Sequence, residues 1–324
     1  MTRPFCELHL HIEGTLEPAT IFELAARQGM SLPYADPGEL AARYRFSDLQ
    51  SFLDLYYENM AVLRDEDAFT LMTWAYLQRA HRAGVAHVEL FVDPQAHSVR
   101  GISEQTVLRG IQRALDRGAS ELGITSGIIV CVLRDQPVAS AHAMLDAVLG
   151  ADIPVLGMGM DSAEVGYPPS LFAGVFDEAR AAGLHVVAHA GEEGPPSYVW
   201  EALDVLGAER IDHGIRSLDD AALVARLVRD RIPLTVCPLS NVALKVSPSV
   251  AAVPIRRMLD AGLCITINSD DPAYFGGYLD DNLAAIESAH GLTAAELDTL
   301  CRNSIEASFV TEERRIGLFT RLGR

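Results

Sequence analysis

Eight times along its 324 residues the chain passes from a short apolar or β-branched run to a longer stretch with helix-spaced apolar residues. Few folds accept that rhythm. Strands are predicted near Phe5–His11, Ala86–Val92, Ser126–Val132, Val155–Met160, His185–His189, Arg210–His213, Leu234–Val236 and Cys264–Asn268. The intervening stretches Ser140–Leu149, Pro169–Ala182, Tyr198–Leu206, Asp219–Asp230 and Pro254–Ala261 carry helical spacing. Gly183 and Gly262 each separate such a helix from the next strand, where a left-handed C-cap is expected. Eight βα units in one chain of this length point to an α/β fold, a (β/α)8 TIM barrel forming a single domain over residues 1–324. No G-x-G-x-x-G follows the first strand, which counts against a dinucleotide-binding sheet. The first connection is unusually long. From Pro18 to about Gly84 it reads as extra helices, including Ser47–Leu63, with Phe52, Leu55, Tyr56 and Met60 at helical spacing, and Asp65–Arg82. Most of these aromatics are expected to pack the helices onto the barrel. The insertion follows the first strand, so it starts at the C-terminal mouth and is positioned to serve as a lid.

Composition narrows the partners. With 49% hydrophobic and 22% charged residues the chain can bury a large core. A net charge of -18 disfavours a nucleic-acid backbone or an anionic membrane surface and suits a small neutral or weakly cationic ligand. Five scattered cysteines (Cys6, Cys131, Cys237, Cys264, Cys301) with no C-x-x-C favour a reducing compartment, and a cytoplasmic location is expected. No signal peptide is expected at the N-terminus. Apolar runs such as Ile128–Leu133 are strand-sized, far short of a membrane span. A homo-oligomer is compatible with all of this.

Polar residues cluster at the ends of four predicted strands: His9-Leu10-His11, His189-Ala190-Gly191-Glu192-Glu193, Asp212-His213-Gly214 and Ser269-Asp270-Asp271. Strand C-termini of a barrel converge on one mouth, so these clusters are expected to meet. Two histidines one residue apart share a strand face, because the strand period is two. His9, His11 and His189 then supply imidazoles and Asp270 a carboxylate, a set suited to one Zn2+ per chain with a position left for water. Such an ion lowers the pKa of water toward neutrality. Two-metal barrel hydrolases commonly use a modified lysine as a bridge; the only lysine, Lys245, follows the seventh strand, which argues for one metal. The Cys-based zinc deaminase signature is absent as well.

Taken in order, His9-Leu10-His11, His189-Ala190-Gly191-Glu192, Asp212-His213-Gly214, Cys237-Pro238-Leu239-Ser240-Asn241 and Asn268-Ser269-Asp270-Asp271-Pro272 resemble the adenosine/adenine deaminase family over most of the chain. The resemblance implies a zinc-dependent purine 6-aminohydrolase. It gives His9, His11, His189 and Asp270 to the metal and makes Glu192 the proton donor to the purine ring nitrogen. It has His213 orient the attacking hydroxide and stabilise its charge, and Asp271 hydrogen-bond the imidazole edge of the base. The chemistry agrees: attack on an aromatic C–NH2 carbon needs a nucleophile on one side and a proton on the ring nitrogen. Glu193 reads as a loop or helix-start charge.

The substrate turns on two departures. Nucleoside deaminases of this family typically carry Asp, in a Leu-Asp-Gly context, where this chain has Glu13, and that Asp helps hold the ribose. The longer carboxylate of Glu13 is expected to intrude on the sugar's space. After the fourth strand those enzymes usually carry Asp-Leu-Ala-Gly, whereas this chain has Asp161-Ser162-Ala163-Glu164, with Glu164 in the glycine's place. Asp161 and Glu164 are therefore expected, with Glu13 and Asp271, to shape the substrate site. These runs, with Phe91-Val92-Asp93-Pro94-Gln95-Ala96-His97 and Gly191-Glu192-Glu193-Gly194-Pro195-Pro196, resemble the adenine deaminase branch, implying adenine converted to hypoxanthine and ammonia in purine salvage. His97 reads as a loop histidine that positions backbone. Alternatives are adenosine, an N6-substituted adenine such as a cytokinin, or another 6-aminopurine. A generic metal-dependent hydrolase is a further one. A non-catalytic binding protein on the same barrel would lack a ligand or the acid, and none is missing.

Overall fold

The computed structural model describes residues 3–323. Its strands are β1 (Cys6–Glu7), β2 (His87–Val92), β3 (Thr125–Leu133), β4 (Gly157–Asp161), β5 (His185–Ala190), β6 (Arg210–His213), β7 (Leu234–Val236) and β8 (Ile265–Ile267). Each pairs in parallel with the next in chain order. The ring closes at a seam between the ends of the chain. There the His11 N–H donates to the Asp270 carbonyl at 3.0 Å and the Asp270 N–H to the His9 carbonyl at 3.1 Å. The result is the expected (β/α)8 barrel. β1 is shorter than the Phe5–His11 run for a local reason. Beyond Glu7 the Leu8 N–H turns to the Asn268 side chain at 2.8 Å, and regular pairing gives way to single bridges, Leu10 to Asp270 and His11 to Phe91.

The strand period sorts the side chains. On β2, Val88, Leu90 and Val92 join the main core between barrel and helices, while His87, Glu89 and Phe91 point into the barrel. The interior is layered. At the floor the buried Glu89 and Arg210 pair at 2.6 Å, with the Arg210 guanidinium 4.7 Å from the centre of the Phe309 ring. Above lies a small apolar layer of Phe91, Ile129, Cys131 and Val187. Gly159 on β4 leaves room for it, since a Cβ there would stand 2.6 Å from the Cys131 sulfur. Above that layer come the histidines, with the His9 ring centred 5.1 Å from that of Phe91.

The insertion after β1 contains α1 (Pro18–Arg27), α2 (Pro37–Ala41), α3 (Leu49–Asn59) and α4 (Glu66–Ala83). Asp48 and Ser51 close a capping box at the start of α3, and Asp65 caps α4 through the Ala68 N–H. Phe52 and Tyr56 fall on the buried face of α3 and, with Met60 just beyond its end, pack with Phe46, Tyr274 and Phe275 into a second apolar cluster; Leu55 is only half-buried. Gly183 and Gly262 take the left-handed conformation expected of them, with φ of +84° and +78°. All five cysteines are free and buried, and among the described residues no helix is long and apolar enough to cross a membrane.

Candidate active site

Three strands bring four metal-ligating side chains together. His9 and His11 extend one face of β1, His189 points inward from β5, and Asp270 follows β8 at a left-handed φ of +64°. His11 Nε2 lies 3.2 Å from His189 Nε2, and Asp270 Oδ1 lies 3.2 Å from His9 Nε2 and 3.4 Å from His11 Nε2. The outward-facing nitrogens explain what these contacts are. Thr235 donates its hydroxyl to Asp212 Oδ1 at 2.8 Å and so accepts from His9 Nδ1 at 2.9 Å. His11 Nδ1 faces Asp161 Oδ2 at 3.4 Å, and His189 Nδ1 faces Asp212 Oδ2 at 3.6 Å. Each ring thus turns its N–H toward a polar partner and its Nε2 lone pair inward. Three lone pairs and a carboxylate oxygen repel one another unless a cation sits among them. A tetrahedral zinc with ligands at about 2.0–2.1 Å separates its ligand atoms by about 3.3–3.4 Å, close to the spacing found. The nitrogen–oxygen donor set therefore fits a divalent cation of the zinc type. Burial, reinforced by the neighbouring imidazoles, holds His189 well below the usual histidine range, and burial pulls His11 down to about 4, so both stay neutral and able to ligate.

His213 ends β6 at a φ of +61°, with Gly214 following at +69°. The turn aims its Nε2 at the cluster, 3.5 Å from Glu192 Oε2 and 3.7 Å from Asp270 Oδ2. Glu192 lines the same cavity from the loop after β5. Burial, with the charges of Asp270, Glu164 and Glu193, pushes its carboxyl well above the ordinary range and favours the protonated acid.

What holds that loop was not legible in the sequence. The Glu164 carboxylate accepts from four consecutive backbone N–H groups, of Gly191 at 2.6 Å, Glu192 at 3.1 Å, Glu193 at 2.8 Å and Gly194 at 2.7 Å. This corrects the expectation of a substrate contact: both oxygens of Glu164 are engaged, and it lies behind the loop rather than on the cavity wall. The preceding Ser162, at a φ of +70°, makes the turn that sends it there. Gly194 has to be small, because a Cβ would stand 2.6 Å from Glu164 Oε1. From the other side the buried Arg134 donates through Nη1 to the His189 carbonyl at 2.7 Å and through Nε and Nη2 to the Tyr167 carbonyl.

The cavity gathers His11, His189, His213, Glu192, Asp161, Asp270 and Asp271, roofed by Leu49, Phe52, Leu53, Tyr56 and Tyr57 of α3. Asp271 reaches in past Gly14, where any Cβ would stand 2.0 Å from its Oδ1. Glu13 departs from expectation. Its Oε1 is turned aside to accept from His97 Nε2 at 2.7 Å and from the Asp93 N–H at 3.2 Å, and it does not line the cavity. Arg100 donates to His97 Nδ1 at 2.5 Å, which leaves the proton on Nε2, so His97 positions a carboxylate rather than backbone. Asp93, Thr235 and Arg134 went unassigned in the sequence. The strand period offered one signal: Asp93 continues the inward register of His87, Glu89 and Phe91.

Likeness to known proteins extends over the whole fold. The family model described as adenosine deaminase matches residues 4–323. An adenine deaminase of Streptomyces coelicolor is 56% identical over 98% of this chain and 93% of its own length. The crystal structure of an adenine deaminase from Arthrobacter aurescens superposes with a TM-score of 0.98 at 51% identity, covering 99% of this chain and 98% of that one. An amidohydrolase of Burkholderia ambifaria, solved with bound Zn, gives a TM-score of 0.90 at 28% identity, covering 99% and 90% of the two chains. With the His/Asp donor cluster, the buried acid and the closed eight-stranded barrel on one chain matched over residues 4–323, the protein belongs to the adenosine deaminase family.

Proposed function

We propose that this chain hydrolyses adenine to hypoxanthine and ammonia, with one zinc ion per chain. The observation that carries the reading is the pairing of a four-donor His/Asp cluster with a buried acid, Glu192, beside it in one cavity. Relatives at 51–56% identity that are named adenine deaminase support the choice of substrate. His9, His11, His189 and Asp270 would hold the ion, which when bound supplies the Lewis acidity that makes water a nucleophile near neutral pH.

The protein groups do the rest. Glu192 donates its proton to the ring nitrogen adjacent to C6, so that C6 accepts the incoming oxygen and electron density moves onto the protonated ring rather than accumulating as an anion. His213 orients the attacking oxygen and stabilises its charge. The C6–N bond then breaks, and the amino group leaves as ammonia once it has gained a proton. Asp271 hydrogen-bonds the imidazole edge of the purine. Asp161 acts chiefly through His11, whose Nδ1 it faces at 3.4 Å. The product, a 6-oxopurine free base, fits a role in purine salvage in the cytoplasm.

Steady-state kinetics on adenine and adenosine test this. Adenine is expected to exceed adenosine in kcat/KM by at least about 10²-fold. A preference for adenosine would overturn the reading.

A further inference from the structure

The metal cluster and Glu192 account for the reacting side of the cavity, but the opposite wall is also chemically active. Asp93, at the end of β2, lines it and is 2% exposed. Its backbone is fixed. The N–H donates to Glu13 Oε1, itself held by His97, and the carbonyl accepts from the Ala96 N–H at 3.0 Å. Its carboxyl lies against that of Asp161, the two hydrogen-bonded to each other as a buried acid pair, and beyond that pair its buried Oδ1 has no N–H or O–H partner. A buried polar atom left unsatisfied costs about 1–3 kcal/mol, more if charged, and two carboxyls sharing a hydrogen bond keep acceptor capacity to spare, so the pair on this cavity wall suits a donor that arrives with a ligand.

The ring geometry says which donor. The inference rests on the proposed chemistry, in which C6 of the purine faces the metal cluster. N1 and N7 then flank C6, toward Glu192 after β5 and Asp271 after β8. The edge left over carries N3 and N9 and faces the wall built by β2 and β4. In a free purine that edge presents an N–H at N9 beside an acceptor at N3, whereas in a nucleoside N9 carries the sugar. We propose that Asp93 reads the unsubstituted N3/N9 edge of the base and is the residue that selects free purines over nucleosides. A carboxyl oxygen matches this edge by accepting the N9–H, which a nucleoside lacks. Burial together with the neighbouring Asp161 and Glu13 pushes Asp93 well above the ordinary carboxylate range, and the proton it keeps lies in its hydrogen bond to Asp161. Glu13 thus influences the choice of purine indirectly, by holding Asp93, and not by filling the sugar's space.

The test compares kcat/KM for adenine and 9-methyladenine in wild type, Asp93→Ala and Asp93→Asn, with metal content measured in each. Asn keeps a donor and an acceptor of the same size, and Ala keeps neither. The expected wild-type preference for adenine falls about 10²-fold or more in the Ala variant and stays within about tenfold in the Asn variant, with the metal retained in both. A ratio unchanged in Asp93→Ala, or falling equally in both variants, overturns the role of Asp93. A wild type inactive on adenine overturns instead the function on which it rests. Should the Ala variant not fold, inhibition of wild type by hypoxanthine and 9-methylhypoxanthine decides: inhibition by hypoxanthine at least about tenfold stronger supports the pairing, and equal inhibition removes it.

Discussion

Glu164 shows how much of this site depends on a residue behind the loop that carries the acid. Four N–H groups converge on its carboxylate, so the loop carrying Glu192 is wrapped around a buried anion. Two substitutions separate the acid from its support. Glu192→Gln keeps the metal but loses the proton to be delivered, and kcat is expected to fall by about 10²–10⁴-fold at every pH. Glu164→Gln places an NH2 group against N–H donors; the loop loosens and kcat falls by about 10²-fold. It also moves a pH profile. Glu192 must be protonated to act, so activity is lost as pH rises through its pKa. The charge of Glu164 helps to raise that pKa, so neutralising it shifts the basic limb to lower pH. A limb that stays in place would show that Glu164 has no part in tuning the acid.

At the scale of elements, α3 is both a packing helix and the roof of the cavity, because the residues that cover the site are those that hold the helix down. The Phe52 ring lies 4.7 Å from Phe275, 5.0 Å from Tyr56 and 5.4 Å from Phe46, centre to centre. Phe52→Ala is expected to cost about 3–5 kcal/mol locally. Hydrogen exchange would then rise over α3 while β2–β5 stay protected, and kcat and KM would change together. Loss of protection spread evenly through the barrel would contradict an independently opening roof. The elements were largely legible in advance, since β-branched and helical periodicities report burial directly, and the strand period put the His9 and His11 side chains on one face. Partners across the barrel were not legible. Nothing local to Thr235 says that it sits between His9 and Asp212, and the left-handed turn at Ser162 that sends Glu164 behind the loop has no signature in a residue type that rarely adopts it.

The molecule as a whole rests on an ionic floor. Burial alone would raise Glu89, but Arg210, aided by His87, outweighs it and brings the carboxyl down to about 2. A folded-state pKa below the unfolded value, near 4.5, gives stability that is complete above that value and is lost as pH falls toward about 2. Glu89→Gln leaves the Arg210 charge buried without its partner and is expected to cost about 3–5 kcal/mol in urea unfolding at pH 7. The variant's stability should also fall less steeply than wild type between those pH values; an unchanged acid limb would show that the pair is not what acid breaks. Higher in the barrel, the seam between Asp270 and the His9–His11 segment has a consequence for how the protein is made. His9 and Asp270 stand 261 residues apart, so at ribosomal speeds of about 5–20 residues per second the first half of the ligand set waits about 10–50 s for the last. The nascent chain passes through that interval with an open sheet and an incomplete set of ligands. The His/Asp cluster and the closed barrel are completed together, once Asp270 has been made.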